Sequence, residues 1–187
     1  MTDRQKILIV DDKEANLYAL EKVLENVDAQ IIRATSGNDA FIACLHHEFA
    51  LGILDVQMPG MDGYELAEHL RADENTLQLP IIFLTAVYSD EHHVFKGYRA
   101  GAVDFVTKPY RPEILLAKVR IFLQLIKTRK ALQASEEKYR TLYETSRDGI
   151  ALSDLNGTLM DANQLFLDMM GYTFLELKGL NIHQNNP

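Results

Sequence analysis

The chain has no tryptophan, a single cysteine and only five prolines in 187 residues. One cysteine excludes a disulfide framework within the chain and a zinc site built from several thiolates. Cys44 lies in an apolar helical stretch, where a small core residue is expected rather than a reactive thiol. No apolar run is long enough to span a bilayer, and no secretory leader pattern precedes the first apolar run. The expectation is a soluble cytoplasmic protein without a membrane contact. A formal net charge of −8 argues against a general nucleic-acid surface, so no nucleic-acid contact is expected. There is no internal repeat and no low-complexity tract. With 47% apolar and 25% charged residues the balance is that of a globular protein, long enough for one domain of ~100–150 residues and a remainder.

What is present is a series of short apolar runs. Lys6–Val10 stops at Asp11-Asp12, Ala50–Leu54 at Asp55, Pro80–Leu84 at Thr85, and Ala102–Thr107 at Lys108. Gln30–Arg33 is a weaker fifth run. Each reads as a buried parallel strand, apolar on both faces. Helical periods alternate with them. Leu17, Leu20 and Leu24 share a face, as do Ala40, Phe41, Cys44 and Leu45, and Leu66 with Leu70. Val94–Ala100 is a shorter fourth pattern with Gly101 as its stop. Ser36 is placed to cap the second helix, Asp62 with Glu65 has capping-box spacing, and Pro112 suits the first turn of a fifth helix. Strand alternating with helix predicts an α/β doubly wound sheet of five parallel strands.

The fifth helical pattern runs from Glu113 to about Thr145 without proline or glycine. Such length suggests a coiled coil, with Ile121, Leu125, Leu132, Tyr139 and Leu142 on one seam and Thr128 and Ser135 as weak positions. A parallel homodimer through that seam is expected. Beyond it, Gly149–Asp154 and Thr158–Asp161 flank an Asn156-Gly157 turn signal, and Asn163–Met170 reads as a short helix ending at Gly171.

The polar residues that end the runs carry the chemistry. Asp11, Asp12, Asp55, Thr85 and Lys108 sit at, or just past, the carboxyl ends of predicted strands. Open α/β sheets bind ligands in the crevice there. A pair of carboxylates ~4 Å apart repels by roughly 4 kcal/mol at an effective dielectric of ~20. A hard divalent cation relieves this, and oxygen-only ligands suit Mg²⁺. Lys108 adds a point charge for a phosphoryl group and Thr85 a hydroxyl donor. A carboxylate nucleophile, a metal, a lysine and a hydroxyl together make a phosphoryl-transfer site. The adjacent pairs His46-His47 and His92-His93 point apart on a helix and are expected to be solvated rather than metal ligands.

The ordered set Asp11-Asp12, Asp55-Val-Gln-Met-Pro-Gly-Met-Asp-Gly, Leu84-Thr85-Ala86 and Lys108-Pro109-Tyr110 resembles the response-regulator receiver family of two-component signalling, over about residues 5–127. The resemblance implies a flavodoxin-like sheet of strand order 2-1-3-4-5 and phosphorylation of Asp55 by a sensor histidine kinase or phosphotransfer protein. It further implies Mg²⁺ held by Asp12, Asp55 and the Gln57 carbonyl, with Asp11 acting mainly through water. Thr85 would be the switch hydroxyl, Phe105 the switch aromatic and Lys108 the phosphate-pairing lysine, with a cis Lys108–Pro109 bond. Tyr110 departs mildly from the commoner Phe, and Phe105 lacks the hydroxyl that many relatives carry.

Residues 136–179 resemble the opening of a PAS sensory domain, in the Asp148-Gly-Ile strand, the Asn156-Gly turn and the Asp161-Ala-Asn helix start. About half of a PAS fold is present, so a truncated segment is expected, one that cannot bury a core alone. The resulting organisation is a receiver at 1–127, an extended helical linker at 113–146 and a PAS-like segment at 147–187. Two other readings are weighed. A haloacid-dehalogenase-type phosphatase also uses a strand-end aspartate, but it places a second Asp two residues on, where this chain has Gln57. A degenerate receiver serving only dimerisation conflicts with the intact acidic pair, Thr85 and Lys108. By this reading the chain catalyses only its own phosphorylation. Receiver–helix–PAS order commonly precedes a cyclic-di-GMP enzyme domain or a histidine-kinase core, and the sequence does not choose between them.

Overall fold

The computed structural model describes residues 4–86 and 104–178. The expected fourth helix at Val94–Ala100, with Gly101, His92, His93, Ala102 and Val103, lies outside the described residues. The chain divides into two compact units, residues 1–127 and 128–187.

In the first unit the short β-branched runs become strands. These are β1 (Lys6–Val10), β2 (Gln30–Ala34), β3 (Leu51–Asp55), β4 (Ile81–Thr85) and β5 (Asp104–Thr107). They form one parallel sheet of order β2-β1-β3-β4-β5, as expected. Because side chains alternate across a strand, Ile7 and Ile9 enter one core layer while Leu8 and Val10 enter the other. On the first face pack α1 (Glu14–Leu24), through Leu17, Leu20 and Leu24, and the start of α4 (Pro112–Glu144), through Leu115, Val119 and Leu123. On the second pack α2 (Gly37–His46) and α3 (Gly63–Ala72), the latter through Leu66 and Leu70.

The expected caps form. The Asp39 N–H donates to Ser36 Oγ at 3.1 Å, Asp62 and Glu65 make the reciprocal capping box, and Pro112 is the first residue of α4. Two expectations need correction. The weak run Gln30–Arg33 is an edge strand, with Gln30 and Arg33 exposed, because a strand with one neighbour need not be apolar on both faces. On α2, Ala40 is buried and Phe41 and Cys44 are half-buried, but Leu45 is 64% exposed. The apolar face of that helix is narrower than its sequence suggests.

The second unit contains β6 (Ala151–Ser153) and β7 (Leu159–Ala162), an antiparallel pair. Gly157 turns between them with φ of 85°, a left-handed conformation that suits glycine. Short helices α5 (Gln164–Met170) and α6 (Phe174–Leu177) follow. Asn163 caps α5 and is fully buried. Its Oδ1 accepts from the Ile150 and Phe166 N–H groups, and its Nδ2 donates to the Tyr143 and Asp148 carbonyls. Along α4, Ile121, Leu125, Leu132, Tyr139 and Leu142 are all more than half exposed. None of the described helices is long and apolar enough to cross a membrane.

Candidate phosphoryl-transfer site

Strand order brings the strand-end residues together. β1 and β3 are neighbours, with Val10 paired to Leu54, so Asp11 and Asp55 follow on adjacent strands. β4 pairs Leu84 with Asp55 and Thr107 with Thr85. The Lys108 N–H then donates to the Thr85 carbonyl at 2.7 Å, fixing the end of β5 against that of β4. Asp55 and Thr85 are the last residues of their strands, one position further in than the sequence suggests. The Lys108–Pro109 bond is cis, as the resemblance implied.

Carboxylate oxygens of Asp11, Asp12 and Asp55 lie within 4.8 Å of one another. Lys108 Nζ sits 2.9 Å from both Asp11 Oδ2 and Asp55 Oδ1. One ammonium therefore answers two of three carboxylates. Asp12 Oδ1 is buried and has no hydrogen-bond partner among the described residues. Burial raises the Asp55 carboxyl above its ordinary range, against the pull of Lys108, and the Asp11 charge adds to the rise. Burial works to lower the Lys108 pKa, but its hydrogen bonds to Asp11 and Asp55 outweigh that and hold the ammonium above its usual value. A buried carboxylate oxygen without a donor, beside two more carboxylates, is a costly arrangement unless a cation completes it. The donor set is all hard oxygen, which fits Mg²⁺.

The loop after β3 is closed by two close approaches. The Gly63 N–H donates to the Val56 carbonyl at 3.0 Å, and a β-carbon at Gly63 would stand 2.2 Å from the Asp55 carbonyl oxygen. The start of α3 therefore rests on the backbone of Asp55 only because residue 63 has no side chain. The exposed Gln57 donates its backbone N–H to the Asp55 carboxylate. Thr85 is half-buried at the end of β4. Phe105, on β5, is half-buried with its ring 5.6 Å from that of Phe83, which meets Tyr64 edge-on at 4.8 Å.

The sequence reading missed Asn16. Its Nδ2 donates to Asp11 Oδ1 and Oδ2 at 2.8 and 2.9 Å. The only signal is an amide residue in the first turn of α1, five positions past Asp11. The other candidates lie apart from the cluster. His46 is exposed, and the His47 ring meets Phe49 edge-on at 6.1 Å. Burial pushes the half-buried Cys44 thiol up to about 11, the behaviour of an unreactive cysteine.

Comparison with known proteins agrees with this geometry. The response regulator receiver domain model matches residues 7–120, and a PAS domain model matches residues 137–186. The regulatory protein VanRB of Enterococcus faecalis is 34% identical over 119 residues, 64% of this chain and 52% of VanRB. The chain thus spans about half the length of that relative. The transcriptional regulatory protein SrrA of Staphylococcus aureus is 30% identical over 170 residues, 91% of this chain and 68% of SrrA. Among solved structures, a response regulator from Chloroflexus aurantiacus superposes with a TM-score of 0.61 at 35% identity, over 65% of this chain and 99% of that one. The receiver domain of a signal transduction histidine kinase from Syntrophus aciditrophicus gives a TM-score of 0.61 at 33% identity, over 66% and 92%.

Proposed function

We propose, for a chain that belongs to the response regulator receiver family, that it is a phosphorylation switch whose acceptor is Asp55. The observation that carries this is the shortage of positive charge in the cluster among the described residues: three carboxylates, one lysine and an unpartnered oxygen on Asp12. Receiver domains use Mg²⁺ at such an acidic site and interact with histidine kinases or phosphotransfer proteins. Here Asp12, Asp55 and the Gln57 carbonyl would hold the ion, with Asp11 reaching it through water. When bound, the ion neutralises carboxylate and phosphoryl oxygens.

The chain's own groups do the rest. An Asp55 carboxylate oxygen bonds to the phosphorus of a phosphohistidine as the N–P bond breaks, and the freed imidazole nitrogen takes up a proton. Lys108 turns from the carboxylates to a phosphoryl oxygen, and the Thr85 hydroxyl donates to another. Movement of Thr85 leaves room into which the Phe105 ring turns, altering the surface beside β5. We assign residues 1–127 to the receiver, 113–146 to a helical linker and 147–187 to a PAS segment, working in the cytoplasm as a parallel dimer. The exposure of Ile121, Leu125, Leu132, Tyr139 and Leu142 supports a second copy on that seam. The linker then passes the receiver's state to an output domain, without itself contacting nucleic acid. A phosphatase of the haloacid-dehalogenase kind would need an acidic side chain at position 57, where glutamine stands exposed.

The test is labelling with acetyl phosphate and Mg²⁺. One phosphoryl group per chain is expected, lost in Asp55→Asn; a label that stays, or that maps to histidine, refutes the assignment.

A further inference from the structure

Asp11 and Asp12 are neighbours at the end of one strand, yet their carboxylates are treated differently. Asp11 is 2% exposed, and each of its oxygens has two donors. Oδ1 accepts from the Lys13 N–H at 2.9 Å and from Asn16 Nδ2 at 2.8 Å. Oδ2 accepts from Asn16 Nδ2 at 2.9 Å and from Lys108 Nζ at 2.9 Å. A carboxylate offers about four lone-pair sites, so Asp11 is saturated. Asp12 Oδ1, buried beside it, has no donor among the described residues.

We propose that Asn16 is the positioning residue that creates this difference. Its amide spans both oxygens of Asp11, turning that carboxylate toward α1 and leaving direct contact with a cation to Asp12 and Asp55. This rests on the receiver reading of the site given above. The amide is neutral, so it satisfies Asp11 without adding the charge that would compete with a metal at Asp55. It also remains when Lys108 leaves. In a site where Lys108 must pass to a phosphoryl oxygen, Asp11 would otherwise lose its one strong side-chain partner. With Asn16 and the Lys13 N–H in place, both oxygens keep a donor after the ammonium has gone. A second cation at position 16 would hold Asp11 more tightly but would repel the metal. An apolar side chain there would leave Asp11 free to compete with Asp12 for it.

The experiment is Mg²⁺ titration by calorimetry on the full chain, comparing wild type with Asn16→Ala, Asn16→Leu, Asp11→Ala and the double variant Asp11→Ala with Asn16→Ala. Circular dichroism melting without metal confirms that each is folded. Asn16→Ala and Asn16→Leu should bind Mg²⁺ about three- to tenfold more tightly, the equivalent of one ordinary net hydrogen bond lost from Asp11. In the Asp11→Ala background, loss of Asn16 should change nothing, because the carboxylate it holds is absent. Unchanged or weaker binding in the single Asn16 variants overturns the proposal and leaves the receiver reading standing. So does an effect that persists without Asp11, since a merely structural asparagine would give that result. A wild-type chain that takes up no Mg²⁺ overturns both.

Discussion

Replacing Asp12 with alanine should make the metal-free chain more stable and deaf to magnesium. Asp12 shares a space of 4.8 Å with Asp11 and Asp55, and Lys108 is paired to those two. At that spacing and an effective dielectric of about 20, each carboxylate pair repels by roughly 3.5 kcal/mol. Asp12 is half-exposed, so solvent and salt reduce its share to about 1 kcal/mol. Removal of its unpartnered oxygen acts in the same direction. A gain of ~1 kcal/mol corresponds to a rise in melting temperature of about 2–4 °C for a chain of this size. Magnesium at ten times its Kd should stabilise the wild type by about 1.4 kcal/mol, because only the folded state binds. Differential scanning calorimetry with and without 10 mM Mg²⁺, a concentration about tenfold above a weak millimolar Kd, measures both effects. Wild type should shift upward with the ion, while Asp12→Ala should start higher and not shift. A variant that melts lower without metal, or that keeps the magnesium shift, would refute the claim that Asp12 is the unsatisfied member of the cluster.

Leu125→Lys with Leu132→Lys, which places two charges on the exposed face of α4, should leave the chain monomeric by light scattering, against the dimer proposed for the wild type. A wild type that is monomeric at tens of micromolar, with and without beryllofluoride, sinks the coupling of switch to seam. Because the Cys44 thiol titrates only at about 11, it is protonated at neutral pH and becomes nucleophilic as pH rises toward that value. Alkylation by iodoacetamide at pH 8 should therefore be on the order of a hundredfold slower in the native chain than in urea, where the pKa returns to ~8.5; equal rates would contradict its burial. Asn163→Ala removes four hydrogen bonds from a fully buried amide and should destabilise the second unit by roughly 2–4 kcal/mol. Hydrogen exchange at Ile150 and Phe166 reads the loss, and acetyl phosphate labelling of the first unit should be unaffected.

The sequence by itself determined the strands and, to within about a residue, where they end, because a buried parallel strand is a local signal: a few apolar residues halted by a polar one. That placed Asp11, Asp12, Asp55, Thr85 and Lys108 on one edge of a sheet. The caps at Ser36 and Asp62 were legible for the same reason, since each is a contact between residues three apart. Only the tertiary structure decided which side chains on a given helix are covered. Leu45 is exposed although it continues an apolar period, and α4 turns Leu115, Val119 and Leu123 inward while Ile121 and Leu125 stay in solvent. Periodicity says that a helix has an apolar face, but the width of its contact is set by what packs against it. The unequal roles of Asp11 and Asp12 followed from the family resemblance, but the contacts that make them unequal did not. They depend on Lys108, 97 residues away along the chain, and on an amide from α1, and neither distance follows from a residue's neighbours in sequence.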